Sequence, residues 1–432
     1  MTRLIHQNIV PPKHSEEMPL LGPEELIPFV EQYFSRRKVY LKQVKKHGSF
    51  LYVLEPDVLM RRAEQFKKAF RRELHDSGFY FAVKSNNHPE VARTLLKSGF
   101  GLDVSSGVEL QTAIDVNAKE IIFSGPGKTP EELESAVRNS SCVTVLIDSF
   151  GELHRLQKAA SMAGTTVRAG VRLTTNPKGL WRKFGIPPET LTEFWRAARS
   201  CPHIALKGIQ FHTSWNLSAA SQTDAIALLG ELLSHMPDNL IENLSFIDVG
   251  GGYWPRQGEW LHPPAEPQEM RQKTNRHLSD ISMIHLRFPA EPIETFARKI
   301  SQAIKYHIFP VTRCRICFEP GRWICNDSMH LLMTVVDQKA EDLVITDAGT
   351  NAVGWERFET DYFPVLNLTR PALIEKPCYI LGSLCTPHDV WGFSYFGREI
   401  RVGDVLMIPT QGAYTYSLRQ HFIKAVPEVV IM

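Results

Sequence analysis

Hydrophobic positions in this chain gather in short continuous runs rather than in a strict alternation. Eight of these runs are "FYFAVKSN", "FGLDVSSG", "EIIFSGPG", "VTVLIDS", "VRAGVRLTT", "LKGIQFHTS", "LSFIDVGGG" and "RICFEPGR". Amphipathic stretches such as "PEVARTLLKSG", "GVELQTAIDV", "PEELESAVRN" and "GELHRLQKAASMAG" lie between most of them. A run that is apolar at every position suits a strand buried on both faces, and strands joined by helices pair in parallel. Eight such units within about 240 residues predict a (β/α)8 barrel; pattern alone leaves a doubly wound open sheet as the alternative. After residue 323 the texture changes. "MHLLMTVVDQKAEDLVITDAG", "REIRVGDVLMIPTQGAYTY" and "HFIKAVPEVVIM" read as strands and turns, hence as a β domain. Segment 254–290 is polar, Pro-rich and Trp-containing, and it interrupts the barrel pattern. It reads as a long loop, either a lid over the barrel mouth or a disordered insertion.

The barrel reading gives the polar residues that end the runs a common address. Lys84, Asp103, Ser124, Asp148, Arg172, His212, the Gly250-Gly251-Gly252 run and Glu319 fall at or near the C-terminal ends of their strands. Barrel enzymes build their sites on that face. One polar strand end is unremarkable, but eight that carry Lys, Asp, Arg, His and Glu imply a shared mouth.

Composition narrows the function classes. The 49 basic and 47 acidic residues leave a net charge of +2, which gives no general reason to expect nucleic acid or an anionic membrane as partner. No stretch approaches the roughly 20 apolar residues of a membrane span. The N-terminal residues show no signal-peptide pattern, so the expected location is the cytoplasm. Seven scattered cysteines do not make a disulfide framework. The pair in "CRIC", Cys314 and Cys317, has the spacing of half a zinc site with no second half, so no metal is expected and the pair reads as part of a buried strand.

Taken singly, the chemical signals are weak. "IDVGGGY" can be a tight turn, or a backbone that points N–H groups at an anion. Glu319 and Arg322 in "FEPGRW" can be a structural ion pair. His212 can be a core histidine. Together they carry more. A lysine in an enclosed apolar site can lose its proton and form an imine. A glycine-rich anion site can hold a phosphate, a carboxylate can keep a pyridine nitrogen protonated, and an imidazole can stack on a ring. That set is the equipment for pyridoxal 5'-phosphate (PLP).

On these motifs the chain resembles the fold-type III PLP-dependent decarboxylases, the group of ornithine, arginine and diaminopimelate decarboxylases, over roughly residues 50 to 420. "YFAVKSN", "GLDVSSGVEL", "IIFSGPGK", "IDVGGGY", "FEPGR", "CTPHD" (385–389) and "GAYTYS" (412–417) occur in the family's order. The resemblance implies an alanine-racemase-like barrel over 50–322, with a β-sandwich or barrel-like domain made of 1–49 together with 323–432. It implies that Lys84 binds the cofactor as an imine, Glu319 meets the pyridine nitrogen and His212 stacks on the ring. Gly250, Gly251, Gly252, Gly321 and Tyr414 would hold the cofactor, with Ser214 in a shifted register. Arg322 would meet either the phosphate or the substrate carboxylate, and Arg172 would lie near the substrate. Cys385 would protonate the product carbanion from the partner subunit, so the resemblance implies a homodimer with shared active sites.

Two departures bear on the substrate. Trp215 follows the histidine strand where small residues are usual. Thr386 follows the cysteine where relatives acting on a distal amine place an acid; Asp389, three residues on, is the acid that remains. The function implied is an amino-acid decarboxylase for a non-standard or conjugated substrate, such as an intermediate of siderophore or other specialised metabolism. A PLP-dependent racemase and a non-catalytic decarboxylase-like regulator are the alternatives. Retention of Glu319 and Cys385 argues against the first, and retention of Lys84, His212, Glu319 and Cys385 against the second.

Overall fold

The computed structural model describes residues 20–176, 178–261, 285–354 and 364–432. The described residues open with helix α1 (Pro23–His47), then strand β1 (Leu51–Leu54) and helix α2 (Pro56–Arg71). Seven parallel strands follow: β2 (Ser77–Ala82), β3 (Gly101–Val104), β4 (Ile121–Phe123), β5 (Val143–Ile147), β6 (Val167–Leu173), β7 (Ile204–Phe211) and β8 (Phe246–Asp248). A two-stranded ribbon, β9 (Glu259–Leu261) and β10 (Leu286–Phe288), comes next, and β11 (Arg315–Phe318) then pairs with both β8 and β2. The order β11-β2-β3-β4-β5-β6-β7-β8 is closed, so the eight apolar runs form a barrel and the open sheet is excluded. Residues 262–284, most of the segment read as a lid or disordered insertion, lie outside the described residues.

Local chemistry sets the helices between the strands. Ser106, Thr129 and Ser149 each accept the N–H of the third residue of the following helix, and Glu132 reciprocates at Thr129 to complete a capping box. Inside the barrel Tyr80, Ile122, Leu146, Phe246 and Cys317 form one apolar cluster. Gly208 lies so close to the Phe246 ring that any side chain there would collide with it.

The remaining strands are β12 (Met329–Ala340), β13 (Leu343–Thr346), β14 (Leu366–Asn367), β15 (Glu375–Leu381), β16 (Val390–Phe396), β17 (Val405–Ile408) and β18 (Glu428–Ile431). With β1 they make a mixed sheet of order β13-β15-β16-β14-β17-β12-β1-β18. β1 therefore belongs to this sheet and not to the barrel. The helix α1 was not read from the sequence. Its Leu26, Val30, Tyr33 and Tyr40 pack on Leu332, Leu366, Phe396 and Met407 of the sheet. A buried polar knot joins α1 to the sheet: Glu55 accepts from Tyr40 (2.8 Å), His330 (3.1 Å) and Arg36.

Candidate active site

Each polar strand end lies where the pattern placed it. Lys84 sits in the single 3-10 turn that follows β2, Asp103 and Arg172 lie within the last two residues of β3 and β6, and Ser124, Asp148, His212 and Glu319 come directly after β4, β5, β7 and β11. Lys84 Nζ donates to Asp103 Oδ2 at 3.2 Å, and Ser124 donates to the other oxygen of Asp103 at 2.6 Å. Asp103 is fully buried, whereas 36% of the Lys84 side chain is accessible from the mouth. The surroundings of Lys84 are acidic rather than apolar. Burial pulls its ammonium down, but Asp103, Glu319 and Tyr414 outweigh that and hold it above the ordinary lysine range. The expected apolar enclosure is thus absent, and in this state Lys84 is a charge-paired cation.

Opposite lie His212 and Glu319. The imidazole Nδ1 is 3.6 Å from Glu319 Oε2 and accepts the Gly251 N–H at 3.1 Å. An Nδ1 that accepts leaves the ring proton on Nε2, and burial, with Lys84 and Arg172 nearby, holds His212 well below its usual range. His212 is therefore neutral. Behind Glu319 sits Asp248, fully buried, with one oxygen accepting the Gly250 N–H at 2.9 Å and the other unpartnered. Burial first, and then the neighbouring Glu319, push the Asp248 carboxyl well above its ordinary range, which favours its protonated form.

The glycine run is cut to fit these neighbours. Gly250 and Gly252 have φ of +72° and +85°, and a Cβ on Gly251 would come within 2.3 Å of the Glu319 carbonyl. Two of its N–H groups are already committed, Gly250 to Asp248 and Gly251 to His212. The expectation that the run aims its N–H groups at an anion is corrected for those two. What glycine secures here is close approach of β8's end to β7 and β11. Asn216, buried, braces the next turn by donating to Thr213 Oγ1 at 2.8 Å.

The sheet domain closes one side. Tyr414, at φ +58°, donates its backbone N–H to Ser85 at 2.7 Å, and Asn86 donates to Gly412 at 2.9 Å. This docks the 411–415 turn beside Lys84. Gly321 packs against Ser85, so Arg322 starts its short helix at the same place, with its guanidinium 5.0 Å from the Tyr414 ring centre. Arg172 is buried, 4.0 Å from Asp148 and 4.7 Å from the Phe184 ring. From Phe184 an aromatic ladder runs outward through Trp181 (5.8 Å) to Trp215 (6.3 Å), which is 65% exposed at φ +53°. Ser214 lies half-buried between His212 and Trp215.

The "CTPHD" residues do not join this cluster within one chain. Cys385 is exposed in the turn between β15 and β16. Asp389 is 2% exposed and turned inward, taking the N–H groups of Thr350 (2.7 Å) and Leu384 (2.6 Å) and the Thr350 hydroxyl (2.9 Å). Its carboxylate is spent on Leu384 of its own loop and on the Thr350 turn, which counts against the reading of Asp389 as a substrate contact. Thr386 accepts from the His388 N–H at 3.4 Å. Sequence reasoning missed Asp248, Asn216 and Gln210, whose amide lies 3.5 Å from Glu319; Asp248 was in view within "IDVGGG" and could have been flagged as a second buried acid.

A lysine amine, a buried carboxylate, a neutral imidazole and a glycine cradle on one barrel mouth define the class of pyridoxal-phosphate barrel enzymes, and the donor set fits that cofactor. Residues 57–326 match the family described as "Pyridoxal-dependent decarboxylase, pyridoxal binding domain", and the chain belongs to that family. It is 23% identical to a diaminopimelate decarboxylase of Aquifex aeolicus, over 89% of this chain and 86% of the relative. It is 26% identical to an L-glutamyl-[BtrI acyl-carrier protein] decarboxylase of Niallia circulans, over 80% of each. A crystal structure of diaminopimelate decarboxylase from Helicobacter pylori complexed with L-lysine superposes with a TM-score of 0.73 at 22% identity, covering 91% of this chain and 94% of that one. The protein is a PLP-dependent amino-acid decarboxylase.

Proposed function

We propose that this decarboxylase acts on an amino acid whose far end carries no free amine, a non-standard or conjugated compound, and releases carbon dioxide and the corresponding amine. One observation carries the reading: at the turn where an acid would meet a distal ammonium, Thr386 offers only a hydroxyl, and Asp389 is engaged by Leu384 and Thr350. The cationic and aromatic rim from Arg172 to Trp215 supports it, because it offers a cation and ring faces rather than a carboxylate to a long side chain. The relative from Niallia circulans shows that the family includes an enzyme named for a tethered substrate.

Within this reading Lys84 is the cofactor's attachment point, and the bound cofactor supplies an electron sink for the electrons left when carbon dioxide departs. Glu319 would keep the pyridine nitrogen protonated, and neutral His212 would face the ring without adding charge. Arg322 and Tyr414 would hold anionic oxygen, with Gly252 the residue of the glycine run that would join them. Asp103 accepts the Lys84 ammonium and takes part in moving its proton. Cys385, exposed on its own chain, serves as the acid for a second copy, which makes the working unit a homodimer with shared sites. No described helix is long and apolar enough to cross a membrane, and the free cysteines fit the reducing cytoplasm.

The test is carbon dioxide release with added PLP from a panel of ornithine, lysine, diaminopimelate, glutamate and side-chain-acylated amino acids. Acylated or anionic side chains are expected to turn over fastest. Turnover of ornithine or diaminopimelate at rates typical of enzymes, ~1–1000 per second, would sink the proposal.

A further inference from the structure

The segment that leads from the glycine run toward β9 is built onto the helix that carries Arg322. Two aromatic rings lie within reach of the Arg322 guanidinium, Trp254 with its ring centre at 4.2 Å and Tyr414 at 5.0 Å. Trp254 is 8% exposed, and its backbone N–H reaches the Asn216 carbonyl at 3.3 Å. Three residues on, the Gln257 amide donates to Asp327 at 3.0 Å. Asp327 lies in the 326–328 turn that continues the Arg322 helix, and it is also paired with Arg62. Residues 254–257 thus grip that helix at its start and at its end.

The geometry has a physical use. A free arginine side chain has much rotamer entropy to lose when a ligand fixes it. Aromatic rings packed against a guanidinium restrict how its plane can tilt, and its N–H donors lie in that plane. Tyr414, at the longer distance, would restrain it less by itself.

We propose that Trp254 is a positioning residue that fixes the Arg322 guanidinium so that its N–H edge meets an anionic oxygen group. That group is either the cofactor phosphate or the substrate carboxylate. The assignment rests on the reading of Arg322 as an anion-binding residue.

The experiment uses the full-length protein with Trp254→Phe, Trp254→Leu, Arg322→Ala and the Leu/Ala double variant. One arm measures the dissociation constant of PLP from the apoprotein by absorbance, and the other the KM and kcat of the best amino acid of the panel. Phe keeps a ring face; Leu keeps apolar bulk without one. Trp254→Leu is expected to weaken one arm by about 3- to 30-fold with kcat nearly unchanged, Trp254→Phe to recover most of that loss, and the double variant to be no worse than Arg322→Ala. A weakened PLP arm assigns the phosphate, and a weakened KM arm assigns the carboxylate. If Arg322→Ala weakens an arm while Trp254→Leu leaves both unchanged, or if the two losses multiply in full, Trp254 does not position Arg322. If Arg322→Ala itself changes neither arm, the anion-binding reading of Arg322 fails first, and the positioning proposal falls with it.

Discussion

Replacing Asp389 asks whether the acid after the Cys385 turn meets substrate or only shapes the turn. One oxygen accepts the buried N–H and the hydroxyl of Thr350 and the other the buried Leu384 N–H, which ties the loop from Gly382 to Asp389 to the Thr350 turn. Its own carbonyl accepts the Gly382 N–H at 2.8 Å, which closes the base of the same loop. Removing the carboxylate strands two buried donors at about 1–3 kcal/mol each, while the Thr350 hydroxyl can rotate to another acceptor. Burial pushes the Asp389 carboxyl up, so relief of its desolvation returns part of that loss. The expected destabilisation for Asp389→Ala is therefore about 2–4 kcal/mol, and roughly half of it for Asp389→Asn, which keeps one acceptor oxygen. Cys385 sits at the tip of this loop, and a displacement of about 1 Å can cost 100-fold in rate. Urea midpoints with intrinsic fluorescence give the stability, and saturation kinetics at excess PLP give the rest. We expect kcat to fall, KM to hold, and Cys385→Ala to add nothing in the Asp389→Ala background. A variant as stable as the parent, with KM raised only for substrates that carry a distal amine, would refute the argument and return Asp389 to the substrate.

Two further outcomes follow from the same structure. Burial raises the Glu55 carboxyl, but His330, Arg36 and Tyr40 outweigh it and bring it from 4.5 to about 2, so it contributes up to about 3 kcal/mol that is complete above pH ~4.5 and lost as pH falls toward ~2. The gap in urea midpoint between the parent and Glu55→Gln should therefore be wide at pH 7, roughly half as wide near pH 3 and nearly closed only near pH ~2; a gap independent of pH would count against the ion pair. If Cys385 serves the neighbouring chain, Lys84→Ala and Cys385→Ala, each inactive alone, should on equal mixing and reassociation regain about a quarter of parent activity, one complete site in half of the dimers; no recovery in a verified mixed dimer would refute its action on the neighbouring chain.

The sequence made the barrel legible because strands buried on both faces cannot alternate, and because their C-terminal ends must turn polar where the site begins. Lys84, Asp103, His212 and Glu319 were found that way. The sheet domain was harder. Its order places β1 between β12 and β18, pairings set by segments far apart in the chain, and no local pattern encodes them. Helix α1 begins with prolines and charges, and its apolar stripe becomes decisive only once the sheet face is there to receive it. Asp248 and Asp389 show a third limit. A carboxylate is read as chemistry in a sequence, but whether its oxygens face a ligand or a backbone N–H depends on the folded neighbours. The acid field around Lys84 was hidden for the same reason, since Asp103 and Glu319 come from strands on either side of it.

The position of β1 also bears on the order in which the molecule is completed. Leu54 pairs with Met329, and Leu51 with Glu428. At synthesis rates of about 5–20 residues per second, the first strand waits on the order of a minute for its last neighbour. All eight barrel strands are made in that interval. The turn that carries Tyr414 and docks beside Lys84 comes after them. A nascent chain can thus have a closed barrel and still lack one wall of its mouth, so cofactor capture becomes a late event that reports on a finished chain.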